Sequence, residues 1–326
     1  MGDHPMRRRA LLAAVPALLA TPALAQPAAW PNRPVRFINP FTAGSAVDVV
    51  TRLIATDLAE RLSAQVIVEN RTGASGNIGT EAVARAPADG TTLLVGSPGT
   101  MGINPFLFRT LPYDAVRDFV AVSHAVSFPQ VMVVSPQSPI RSLADLIAAA
   151  KARPGALNYA SSGNGTTSHL AFELIRAAAG IDIVHVPFRG GTPAIQAVMQ
   201  NEVQVALEGI PSLPAFLSAG TLRPIAVTSR ERSAMLPNVP AVSEAVPGFD
   251  ASAWVIYFAP AGTPAPLVER LSAEIATSLN RPAVRDRLLE QGAAVIGANP
   301  AQTTAFHRAE LEKWQRAVQL SGARVE

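Results

Sequence analysis

Hydrophobic positions along the chain fall into two alternating rhythms. Short apolar runs at 36–41, 65–69, 91–95, 157–160, 181–187, 203–207, 221–228 and 251–258 read as strands. Between them apolar residues recur at helical spacing: from Val47 to about Leu62, from Asn77 to Val83, from Ser142 to the Pro154-Gly155 stop, and from His169 to Gly180. Thr192-Pro193 adds an N-cap followed by proline at the first helical position. Val268, Leu271 and Ile275, then Leu311, Trp314 and Val318, mark two late amphipathic helices whose role is packing. This alternation predicts an α/β fold with mostly parallel sheets flanked by helices. The apolar stretch 120–134, broken by Ser123, His124 and Pro129, reads as a passage from one lobe to another, and 251–258 as the return. Lobe one is then 26–122 with 250–326, and lobe two is 123–249. A chain of 326 residues is long enough for two such lobes.

Two of the strand–turn–helix units have turns with almost no bulky side chains. One is Thr42-Ala43-Gly44-Ser45, after Phe41 and before the helix that opens at Val47. The other is Ser161-Ser162-Gly163-Asn164-Gly165-Thr166, before His169. Such a turn leaves backbone N–H groups bare at a helix N-terminus, where about half a positive charge is focused, and so favours an anion. Two of them, far apart in sequence, predict two lobes closing on one acidic ligand. The loop 96–100, with Ser97 and Thr100, lies beyond another strand end and is a third candidate wall. Arg189, beside Gly190 at a further strand end, could fork onto a carboxylate. Arg52 stands one turn past Asp48 and is read as half of a surface pair.

The first 25 residues carry Arg7-Arg8-Arg9, an apolar core from Ala10 to Ala20 and an Ala23-Leu24-Ala25 cleavage site, the layout of an export signal. The mature protein is expected to be exported, with the export route left open. Loss of three arginines and Asp3 with this leader brings the formal charge of +3 close to neutral, so nothing marks a nucleic-acid surface. Cysteine is absent, which excludes disulfides and thiol chemistry. No later apolar run reaches transmembrane length.

Catalytic and cofactor readings are weaker. Ser161, Ser162, Ser168 and His169 are sequence neighbours, but neighbours at a helix start rarely face each other as nucleophile and base, and no G-x-S-x-G elbow is present. His169 reads as a packed or capping residue and His185 as a hydrogen-bonded sheet residue. His124 and His307 lack partners at metal-binding spacing. The glycines at 73, 76 and 79 do not form a dinucleotide fingerprint, and Asn77 explains that turn as a cap. No cofactor, metal or catalytic residue is expected.

With these residues in view the chain resembles the Bug family, the TctC-type periplasmic solute-binding receptors of tripartite tricarboxylate transporters. The matching runs include Pro40-Phe41…Gly44…Asp48, Val68-Glu-Asn-Arg71…Gly73-Ala74…Gly76-Asn77-Ile-Gly79, Leu111-Pro-Tyr-Asp114, Leu157-Asn-Tyr-Ala-Ser-Ser-Gly-Asn-Gly165 with His169, Val184-His-Val-Pro187 and Ala259-Pro-Ala-Gly-Thr-Pro264. The resemblance implies a two-lobe type II binding protein, monomeric, that holds a small organic carboxylate through amides and hydroxyls of Phe41 to Ser45 and of Ser161 to Thr167. It implies delivery of that ligand to membrane permease subunits. A sensory receptor using the same cleft and an exported hydrolase built on Ser161 are the alternatives. Where the family commonly has further glycines, this chain has Ala43, Ser45 and Ala46, which narrow the first loop. Where an Asp-Asn pair is common it has Glu208-Gly209. Glu208 is expected to select the ligand's far end, favouring a hydroxyl or amine over a second bare carboxylate.

Overall fold

The computed structural model describes residues 30–188 and 190–325. The leader and Arg189 lie outside the described residues. In chain order the elements are β1 (Val35–Asn39), α1 (Ala46–Leu62), β2 (Val66–Asn70), α2 (Asn77–Ala84), β3 (Thr92–Gly96), α3 (Asn104–Leu107), β4 (Phe119–Phe128) and β5 (Gln130–Val134). They continue with α4 (Leu143–Ala152), β6 (Asn158–Ser161), α5 (Thr167–Ala179), β7 (Val184–Pro187), α6 (Gly191–Met199), β8 (Val205–Gly209), α7 (Pro214–Ser218) and β9 (Arg223–Val227). The last are β10 (Ala253–Pro260), α8 (Ala265–Asn280), α9 (Pro282–Glu290), β11 (Ala294–Ala298) and α10 (Pro300–Ser321).

The strands form two sheets, ordered β11-β4-β10-β3-β1-β2 and β7-β6-β8-β5-β9. Both are mixed where mostly parallel sheets are expected. β1 runs parallel to β2 and β3, and β6 parallel to β7 and β8, while β10 and β5 each run antiparallel to both of their neighbours. β10 and β5 are the strands entered from the other sheet, whereas β11, antiparallel to β4, is reached from β10 within its own sheet. β5 arrives straight from β4 across Pro129, and β10 arrives after β9, so neither is bound by the right-handed βαβ rule that keeps local units parallel.

The two passages between sheets are tied to each other. Thr228, fully buried, donates through its hydroxyl to the Ala251 carbonyl (3.2 Å) and accepts from the Gln130 amide (2.9 Å). Its own amide donates to the Gln130 carbonyl (2.9 Å), and the Ala251 amide donates to the Thr228 carbonyl (3.0 Å). Beside this tie α10 packs on β4 and also on α5, where Trp314, Ala317 and Val318 share a core with Leu170, Ala171 and Ile175. At the same end of each sheet as these crossings, β1 and β3 in one and β6 and β8 in the other aim their carboxyl ends at loops. Those loops hold the candidate site.

Candidate functional site

The first loop is built around a buried acid. Ser45 caps α1, its hydroxyl accepting from the Asp48 amide (3.3 Å). Asp48, 2 % exposed, turns its side chain back into the loop. It accepts from the Gly44 amide (2.9 Å), from Arg52 Nε (2.8 Å), from Asn70 (2.8 Å) and from Asn39 (3.1 Å). Burial alone would raise this carboxyl; the donors of Arg52, Gly44, Asn70 and Asn39 outweigh it and hold the group well below the usual carboxylate range. Arg52 is therefore part of the loop's frame, reaching Asn70 as well, where a surface pair is expected. Gly44 takes the left-handed conformation (φ +80°) that the turn requires. Thr42, Ala43 and Gly44 are exposed, and Phe41 and Ser45 are partly so. The amides of Ala46 and Val47, at the first two helical positions, meet no acceptor among the described residues.

The Gly96–Thr100 turn lies alongside. A methyl group built on Gly76 would come 2.6 Å from Thr100 and 3.0 Å from Pro40, so the loops after β1, β2 and β3 converge. Thr100 is fully buried and its hydroxyl accepts from the Ser97 amide (3.4 Å), while Ser97 is 6 % exposed. Asn77 starts α2, with Gly76 in the cap position, and its side chain accepts from Asn104 (2.7 Å) and Tyr113 (3.1 Å). These side chains buttress the loops from beneath.

The second loop is held from within by two histidines. Ser161, fully buried, places Oγ 2.6 Å from His185 Nε2, and that oxygen also accepts from the Gly163 amide (3.2 Å). His169 stacks on His185 with ring centroids 3.9 Å apart, and its Nδ1 accepts from the Gly165 amide (3.0 Å). Burial pushes these rings down to about 3 for His169 and about 4 for His185, so both are neutral at ordinary pH. Thr166 caps α5 through its hydroxyl, and the helix begins at Thr167, ahead of the expected His169. Ser168 Oγ accepts from the Ser162 amide (3.1 Å) and bonds the Ser162 hydroxyl (2.9 Å). Asn164 is exposed, Ser162, Gly163 and Thr166 partly so. The amides of Asn164, Thr167 and Ser168 meet no acceptor among the described residues.

The Ser161–His185 pair is the contact that sequence reasoning misses, because it joins neighbouring parallel strands two register positions apart. A Ser161 sealed from solvent and committed to Gly163 and His185 organises the loop and offers no exposed nucleophile. At Gly165 the loop meets the first sheet's side of the molecule: a methyl built there would lie 2.3 Å from Leu107 in α3.

The α6 entry adjoins this loop. The Gly190 amide donates to the Ser162 carbonyl (3.2 Å), and Gly190 itself is the N-cap of α6, so Thr192 lies inside the helix where an N-cap is expected. Glu208 ends β8 beneath it, 6 % exposed. Its Oε1 is buried with no hydrogen-bond partner among the described residues, and burial pushes the carboxyl up to about 7.

A family model described as tripartite tricarboxylate transporter family receptor matches residues 50–322. The chain belongs to that family, the TctC receptors. Protein BugT of Bordetella pertussis is 35 % identical over 325 residues, spanning 98 % of this chain and 100 % of that protein. Among solved structures, R. palustris Rpa4515 with adipate superposes with a TM-score of 0.80 at 35 % identity, covering 91 % of this chain and all of that one. MatC of Rhodopseudomonas palustris with bound malate gives 0.74 at 32 % identity, covering 89 % and 100 %. The TctC fold of two helix-flanked sheets is thus the fold of this chain, and the family is one of solute-binding receptors. Among the described residues no helix is long and apolar enough to cross a membrane.

Proposed function

We propose that this TctC-family chain is an exported periplasmic receptor that closes on a small organic carboxylate and hands it to the permease subunits of a tripartite tricarboxylate transporter. The observation that carries the reading is the pair of hydroxyl-capped helix starts at α1 and α5. Each leaves the amides of its first two residues unpartnered at the carboxyl end of a parallel strand. Amide nests bind carboxylates without a lysine or arginine. The adipate-bound and malate-bound relatives support a carboxylate as the ligand.

In this reading the ligand touches Thr42, Ala43 and Gly44 on one side and Ser162 to Thr166 on the other. Phe41, Ser45, Ser97, Thr100 and Ser161 hold those loops in place, and Gly190 stands at the far wall. The receptor acts as a monomer, with lobes 26–122 plus 250–326 and 123–249 rotating about the Gln130–Thr228–Ala251 tie. The leader ends at Ala25. A thermal-shift screen of the mature protein against mono-, di- and tricarboxylates tests the reading. At least one acid is expected to raise the melting temperature by several degrees and to saturate; a flat response across the panel contradicts it.

A further inference from the structure

The start of α6 and the end of β8 present a mismatch of donors and acceptors. The nine-residue helix α6 opens at Gly191 with Gly190 as its N-cap and no side chain capping it. The amides of Gly191 and Thr192 meet no acceptor among the described residues. Against this terminus stands the Glu208 carboxyl. A methyl built on Gly191 would lie 2.6 Å from Glu208 Oε2, so one oxygen is pressed onto the first helical residue. The other, Oε1, has no hydrogen-bond donor among the described residues.

The pair lies on the wall of the proposed carboxylate site. Ala160 of β6 pairs with Ala206 of β8, so side-chain alternation puts Ser162 and Glu208 next to each other at the strand ends, on one face. Gly190 is bonded to Ser162 directly. The group missing here must both donate, to Glu208, and accept, from the α6 amides. A bare carboxylate accepts from the amides but is repelled by the Glu208 oxygens wherever that carboxyl is ionised. An ammonium donates to Glu208 but has no lone pair for the amides and faces the positive end of the helix dipole. A hydroxyl does both.

We infer that Glu208 and the α6 N-terminus form a hydroxyl-reading subsite, and that the ligand is a hydroxy acid whose hydroxyl stands close to the gripped carboxylate. This rests on the carboxylate-receptor reading and narrows its ligand class. The test is calorimetric titration of the mature protein with matched acids: succinate, malate and aspartate, and propionate, lactate and alanine. In at least one set the hydroxy acid is expected to bind about tenfold or more tighter than its unsubstituted and amino counterparts. Glu208→Gln and Gly191→Ala should each cut that preference to about threefold or less. The second variant is an independent probe, because Gly191 has an ordinary helical backbone and its new methyl displaces only the end of Glu208. Equal or weaker binding of the hydroxy acids, or a preference that survives in both variants, overturns the inference while leaving the receptor reading intact. Failure of every carboxylate to bind removes both.

Discussion

Asp48 looks, from its spacing to Arg52, like half of a surface pair, and in the fold it is the anchor of the loop before it. Its value lies in the donors it gathers: Gly44, Arg52, Asn39 and Asn70 reach it from three different elements. Asp48→Asn keeps the shape but loses the charge, and is expected to destabilise the protein by about 2 kcal/mol at neutral pH, read from denaturant melts. The pH sign follows from the lowered carboxyl. The folded group keeps its charge where the unfolded one, near 3.8, takes up a proton. Its stabilisation is therefore complete above that range and lost as pH falls below about 4, and the variant should show a shallower acid loss. Glu208 has the opposite sign. A carboxyl raised from 4.5 to about 7 stabilises the fold fully below pH 4.5 and loses that contribution as pH rises through 7.

At the scale of elements, Glu310 ties α10 to β10. Buried at 4 % exposure, it accepts from the indoles of Trp254 in β10 (2.7 Å) and Trp314 (2.8 Å) and pairs with Lys313. Glu310→Ala strands two buried indole donors and is expected to cost about 3 kcal/mol, measured as a shift in the urea midpoint at unchanged slope. The strands and most helices are legible in the sequence because their signals are local. The hydroxyl of Ser45 sits just ahead of an apolar-periodic run, and Ser142 does the same for α4, where its hydroxyl accepts from the Asp145 amide. The antiparallel insertion of β10 between β3 and β4 is not legible, since the partner strands lie more than a hundred residues away and nothing local sets their direction. For the same reason the sequence exposes the two small-residue loops but hides what holds them: Asn70 on Asp48, His185 on Ser161 and Leu107 against Gly165 are all long-range or cross-strand contacts.

At the scale of the whole molecule the account needs both halves to contribute to one ligand. The crossings at Pro129 and Thr228–Ala251 leave two sheets joined by a hydrogen-bonded tie, with the two loops at strand ends on either side of it. Proline at the first helical position deletes one amide donor, while its fixed φ suits a helix start and the extended cap residues Ser45 and Thr166 tolerate it. Ala46→Pro and Thr167→Pro therefore remove one donor from each half and leave the helices intact. The decisive measurement is calorimetric titration of the tightest carboxylate into the wild type, the two single variants and the double variant. The account predicts a loss of about tenfold for each single change and a further loss in the double variant, at near-native melting temperatures. Wild-type affinity in either single variant would show that only one loop holds the ligand, and would contradict the claim that two helix starts grip it together.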